Sequence, residues 1–161
     1  MIKNYKIGNL ILKVESSVCF LESEKFISFY VDAEYADYNI YVDFSSDLNV
    51  RVNGNAYETA NRMYVTENED EYYCYYKSRE ITGFYAFRHV NGNCIRITID
   101  KKYRALLRDD VIFSLSGIEE LIIRNKGCIL HSSYVLHDGC AVLFTGPCDI
   151  GKSTQAGLWE K

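Results

Sequence analysis

Residues 141–161 read AVLFTGPCDIGKSTQAGLWEK. From Gly146 to Ser153 they fit G-x-x-x-x-G-K-[ST], the spacing of a phosphate-binding loop. A phosphate group carries charge and many acceptor lone pairs, so it binds where several donors converge. A loop that wraps the start of a helix turns its backbone N–H groups toward one point, and the helix dipole adds roughly half a positive charge there. Gly146 and Gly151 permit the close approach and unusual backbone angles of such a loop, with Pro147, Cys148, Asp149 and Ile150 spanning the distance between them. Lys152 is the residue that would reach the β- and γ-phosphates, and the Ser153 hydroxyl would face Mg2+. A glycine-rich turn that only caps a helix is the plainer alternative.

Context separates these readings, and it favours the first: the apolar run CAVLFTG predicts a strand entering the loop, and KSTQAGLWEK has helical character after it, weakened by Gly157. Before that strand, CILHSSYVLHDG predicts another strand ending in a turn at Asp138-Gly139. From Tyr103 to Lys126 apolar residues fall at 103, 107, 111, 115, 118 and 122, the beat of one amphipathic helix, with Lys126-Gly127 as its stop. The first hundred residues read as short strands. KIGNLILKV alternates around Ile7, Leu10 and Leu12; EKFISFYV, YNIYVDF, EYYCYYKS, GFYAFRHV and CIRITID are β-rich runs. Asn53-Gly54 and Asn91-Gly92 are hairpin signals, and the acidic TENEDEYY reads as a solvated loop. The expected fold class is therefore α+β. A mainly antiparallel β domain spans 1–102, and 103–161 holds the helix, a β-hairpin, the loop and a short helix, the start of a nucleotide-binding domain.

Composition narrows the partners. With 161 residues the chain has room for one domain, or one and the beginning of another. A net charge of -4 and scattered basic residues argue against a nucleic-acid partner. No run of about 18 apolar residues predicts a membrane span, and MIKNYKIGNL lacks the apolar core of a signal peptide. The six cysteines contain no C-x-x-C pair, so zinc spacing is absent and reduced thiols in a cytoplasmic protein are expected. Tyrosine is abundant, at 14 residues, which suits the β-rich reading.

The stretch ILHSSYVLHDGCAVLFTGPCDIGKSTQAGLWEK resembles the HPr kinase/phosphorylase and phosphoenolpyruvate carboxykinase superfamily. The points that carry the likeness are His131, the HDG turn, the strand AVLFTG, and the loop with its following helix; His131 stands fifteen residues before Gly146. The resemblance covers about 33 residues. It implies ATP and Mg2+ as cofactors and phosphoryl transfer to a protein side chain or a small molecule. By the same resemblance Lys152 stabilises the phosphates, Ser153 with Thr154 helps to hold the metal, and His131 sits near the phosphates. A strand histidine bonded to backbone is the plainer reading of His131, and His89 and His137 read as ordinary.

Two departures stand against that likeness. Superfamily loops read G-x-S-G-x-G-K-[ST], and here Cys148-Asp149 takes the Ser-Gly place. Aspartate visits the left-handed region more readily than most residues, but its carboxylate repels a polyphosphate by up to several kcal/mol in a dry site. Either it points outward and does no harm, or it weakens nucleotide binding. The acidic residues that bind metal and activate the acceptor lie after the loop helix in the superfamily, and only eight residues follow Ser153. Asp109-Asp110 is a tempting substitute, but on an amphipathic helix such a pair reads as a solvated face. The expectation is an ATP-binding fragment of a kinase-like phosphotransferase, truncated and inactive alone, with homodimerisation through the exposed edge of CAVLFTG. Two alternatives remain: a protein- or peptide-binding module with a vestigial loop, and a nucleotide-binding regulator that never catalyses.

Overall fold

The computed structural model describes residues 1–48, 55–58, 62–67, 70–76 and 84–159, and the side chains among these except 55–84 and 106. Helices accompany a mainly antiparallel sheet, as expected. The chain divides into two compact units, Met1–Ile118 and Glu119–Lys161. The sequence places a boundary at 102/103; in the structure the residues from 103 to 118 belong with the first unit.

The first unit is built on an eight-stranded sheet. Its strands are β1 (Ile2–Ile7), β2 (Leu10–Ser16), β3 (Tyr38–Ser45), β4 (Asn55–Glu58), β5 (Arg62–Glu67), β6 (Asp70–Tyr76), β7 (Phe84–Asn91) and β8 (Cys94–Asp100). Their order is β1-β2-β3-β8-β7-β6-β5-β4. β3 lies parallel to both β2 and β8, and the other neighbours are antiparallel. Alternation decides which side is core. Leu12, Val14 and Ser16 are buried on β2, Ile40 and Val42 on β3, Ile95, Ile97 and Ile99 on β8, and Ala86, Arg88 and Val90 on β7. Register aligns them in rows across the sheet: Val14, Ile40, Ile95 and Val90 in one, Ser16, Val42, Ile97 and Arg88 in the next. Each buried aliphatic side chain contributes roughly 1.5–3 kcal/mol.

A helix covers this sheet. α2 (Asp109–Ser116) packs against β7 and β8 and buries Ile112, Phe113, Leu115 and Ser116. Phe113 meets Tyr5 edge-on, with ring centroids 4.8 Å apart, and lies 4.8 Å from the ring of Phe26.

The single helix expected over 103–126 is three pieces. Lys101–Leu106 form a 3-10 turn, α2 follows, and α3 runs from Ile118 to Arg124. Leu107 is extended because the chain there pairs with Leu21: Leu21 N–H donates to the Leu107 carbonyl at 3.0 Å, and Asp109 N–H donates to the Leu21 carbonyl at 3.2 Å. Gly117 then ends α2 in the left-handed conformation, φ 69°. The sequence beat sees apolar spacing but neither interruption.

The end of α3 also differs from expectation by one residue. Lys126, not Gly127, takes the left-handed position, φ 62°. Gly127 N–H donates to the Ile122 carbonyl at 2.8 Å and Lys126 N–H to that of Ile123 at 3.0 Å, a Schellman pair. Glycine is needed at 127 for space, since a Cβ there would stand 2.6 Å from Cγ2 of Ile122.

Three further expectations change. EKFISFYV is not a strand: Ser23 caps a short helix, α1 (Glu24–Ile27), its hydroxyl accepting from Lys25 N–H at 3.3 Å. TENEDEYY is not a loop throughout, because Glu67 and Asp70 pair across the β5–β6 hairpin. Asp109 is not on a solvated face. It is 1 % exposed, and both carboxylate oxygens accept from Ser23 N–H at 3.1 and 3.0 Å, while Oδ1 also accepts from Asp110 N–H at 2.8 Å. Asp110 is half-exposed beside Arg108, Oδ1 to Nε 3.2 Å. The Asn91-Gly92 hairpin signal holds, with Gly92 at φ 53° in the loop between β7 and β8. The Asn53-Gly54 signal lies outside the described residues.

Candidate phosphate site

The second unit contains every residue of the motif. β9 (Ser132–His137) and β10 (Cys140–Thr145) form an antiparallel hairpin in an unbroken register, Val135 opposite Val142 and Ser133 opposite Phe144. The two residues between them, Asp138 and Gly139, have φ of 49° and 75°, the two positive angles that a type I′ turn requires. This matches the turn read from the sequence. Helix α4 (Lys152–Trp159) packs on the hairpin, with Ala156 buried and the Trp159 ring edge-on to Phe144 at 5.9 Å and to His137 at 6.1 Å. The strand, loop and helix therefore follow one another as the sequence implied.

Between β10 and α4 the chain turns sharply. Gly146, Asp149 and Gly151 all have positive φ, at 156°, 63° and 90°. A Cβ at Gly146 would stand 3.1 Å from Cγ2 of the exposed Ile150, a tight contact that this side chain would have to relieve. Asp149 occupies the left-handed region itself, which an aspartate tolerates better than most residues. The first intrahelical bond runs from Gln155 N–H to the Gly151 carbonyl at 2.9 Å. The amides of Lys152, Ser153 and Thr154 are thus those that a helix start leaves without internal acceptors.

The side chains give the loop its charge. Lys152 folds back across it: Nζ donates to the Gly146 carbonyl at 3.1 Å and to the Pro147 carbonyl at 2.8 Å. An ammonium tied to both residues at one end of the loop is a cation fixed where the chain curls. Ser153 Oγ stands 3.1 Å from Ser133 Oγ on β9, and either hydroxyl can donate. Cys148, Asp149, Ile150, Ser153 and Thr154 are exposed. His131 is exposed in the irregular residues just before β9, not on a strand, and has no hydrogen-bond partner among the described residues. The site therefore brings together Gly146, Pro147, Lys152 and Ser153, and His131 is not bonded into it.

Ser133 is the residue that sequence reasoning missed. It is twenty positions from Ser153, and only the period of two along β9, Ser133-Val135-His137, could have placed it on the side that meets α4.

The donor set suits a hard cation. Two hydroxyl oxygens side by side are ligands or outer partners for Mg2+ rather than for a soft metal. Among the described residues no group of three or more His, Cys, Asp or Glu could hold a metal ion. A magnesium ion here would be held chiefly by phosphate oxygens and water, as this ion commonly is. The Asp109 oxygens are occupied by main-chain amides, so they offer no substitute carboxylate. Cys19, Cys94, Cys128, Cys140 and Cys148 are free thiols. No helix among the described residues is long and apolar enough to cross a membrane.

No family model matches the chain. No curated protein and no solved structure matches it either.

Proposed function

We propose that the chain binds the polyphosphate of ATP, with Mg2+, in Gly146–Thr154, as part of a phosphotransferase of the HPr kinase/phosphoenolpyruvate carboxykinase type. The observation that carries this reading is the fold-back of Lys152 onto the Gly146 and Pro147 carbonyls, beneath a helix start with free amides. In that position a phosphate oxygen competes with two neutral carbonyls for the ammonium, and a charged acceptor is the stronger partner. The amides of Lys152–Thr154 and the α4 dipole add to the same attraction. Ser153 offers its hydroxyl oxygen to the metal. When bound, Mg2+ neutralises charge on the β- and γ-phosphates.

Catalysis needs more than this site holds. Phosphoryl transfer depends on positioning the acceptor as well as neutralising charge, and Asp109 and Asp110 are engaged elsewhere by amides and Arg108. The proposed activity of the chain by itself is nucleotide binding, with a protein, peptide or small-molecule phosphoryl acceptor belonging to the larger reaction. A cytoplasmic setting is part of the reading, and the free thiols support it. Pairing of two copies along β10 is also part of it: the strand CAVLFT carries no charge or proline to guard an edge.

Calorimetric titration of the 161-residue chain with ATP and Mg2+ tests the proposal. Binding is expected, and Lys152→Ala should weaken it about 10- to 100-fold, the worth of a charged hydrogen bond. Absence of heat at millimolar ATP, or equal affinity in Lys152→Ala, would remove the nucleotide reading. If the wild-type chain is silent while Asp149→Gly binds, the loop is vestigial and the protein- or peptide-binding module becomes the better account.

A further inference from the structure

We infer that Ser133 is a positioning residue for the metal: its hydroxyl accepts the proton of Ser153 O–H and so turns a Ser153 lone pair toward Mg2+. This rests on the nucleotide-binding reading above and assigns a role to a residue outside the motif. A serine hydroxyl has one proton and two lone pairs. To serve a cation it must aim a lone pair at the ion and send its proton elsewhere; a freely rotating hydroxyl on an exposed helix start spends most of its time donating to water. Ser133 Oγ at 3.1 Å is the neighbouring side-chain acceptor that the structure provides. No carboxylate among the described residues is bonded to Ser153.

The fold holds this pair by three independent constraints. The Asp138-Gly139 turn fixes the β9–β10 register, which sets Ser133 opposite Phe144, two residues before Gly146. Alternation puts Ser133 on the same side of the hairpin as Val135, which is buried. Trp159 on Phe144 and buried Ala156 hold α4 on the hairpin, and with it Ser153 at the first turn. The two hydroxyls thus meet where the strand and the first turn of the helix are held together.

The test separates magnesium from nucleotide. ATP affinity is measured by calorimetry on the whole chain, once with Mg2+ and once with EDTA, in wild type, Ser133→Thr and Ser133→Val. Threonine and valine have the same shape and both suit a strand, so they differ in the hydroxyl alone. The expected result is that Ser133→Val loses about three- to tenfold of the Mg2+-dependent gain in affinity, with Mg2+-free affinity unchanged, and that Ser133→Thr keeps the gain. Ser153→Ala should lose the same gain, and adding Ser133→Val to it should lose no more. An equal gain in the Thr and Val variants overturns the inference while leaving nucleotide binding intact. A wild-type chain that binds no ATP under either condition overturns the reading beneath it, and the role of Ser133 with it.

Discussion

Replacing Asp149 by glycine isolates what its charge does. The residue is exposed and stands in the left-handed region at φ 63°. That conformation costs an ordinary L-residue about 1–2 kcal/mol and an aspartate less. Glycine removes the strain but loses roughly 0.5–1 kcal/mol more chain entropy on folding. These oppose each other, so stability should move by less than about 0.5 kcal/mol. Binding should move more. At a spacing of roughly 7 Å in water, one negative charge opposes the two net charges of Mg·ATP by about 1.2 kcal/mol. Screening leaves about 80 % of this at about 10 mM salt and about 40 % at 0.15 M. Asp149→Gly should therefore bind Mg·ATP about fivefold more tightly at low salt and about twofold at physiological salt. Asp149→Asn keeps a side chain that tolerates the left-handed region and should match the glycine variant. Calorimetric titrations at the two salt concentrations, with urea unfolding as the stability control, read all of this. Equal affinity of wild type and Asp149→Asn at low salt would refute the electrostatic argument. A gain in Asp149→Gly alone would show that backbone freedom, not charge, governs the loop.

Two predictions concern the unit that carries the larger sheet. Asp109→Ala strands a buried Ser23 N–H and the Asp110 N–H, and should cost about 3 kcal/mol in urea unfolding, whereas Asp109→Asn, with one acceptor oxygen left, should cost about 1 kcal/mol; equal, small losses would mean that the 21–23 segment is not held by this carboxylate. Tyr5 is fully buried and its hydroxyl has no hydrogen-bond partner among the described residues. Burial, foremost, pushes its phenol above the ordinary 10.0, so the folded state resists losing this proton. That contribution is whole below pH 10 and is lost as pH rises beyond it, where the unfolded chain ionises first. Tyr5→Phe should be neutral or stabilising at pH 7 and should unfold at higher pH than wild type; alkaline melts followed by circular dichroism would show no such difference if another group controls the transition.

The parts of this fold that the sequence discloses are those in which one period governs one face. Ile95, Ile97 and Ile99 alternate because β8 buries a single side, and such a pattern is readable without knowing what lies opposite. Asp138-Gly139 is readable because few residues accept two positive φ in succession. The misreadings share a different cause. Leu107 leaves a helical pattern because its carbonyl is taken by Leu21, and Asp109 turns inward because Ser23 N–H needs an acceptor. Each local choice was settled by a partner more than eighty positions away, beyond the reach of any window.

The candidate site divides in the same way. Glycine spacing, the strand before and the helix after are local, and they were legible. The Ser133–Ser153 contact is not, because it depends on register. Shifting β9 by one residue against β10 would carry Ser133 to the opposite face of the hairpin, since side chains alternate with a period of two. The same slip would exchange buried Val135 for Leu136, 73 % exposed as the hairpin stands, and for Tyr134, 61 % exposed. The Asp138-Gly139 turn fixes the register that brings the two hydroxyls together, and burial of Val135 agrees with it. A two-residue turn, outside the motif, decides whether Ser153 meets a second hydroxyl.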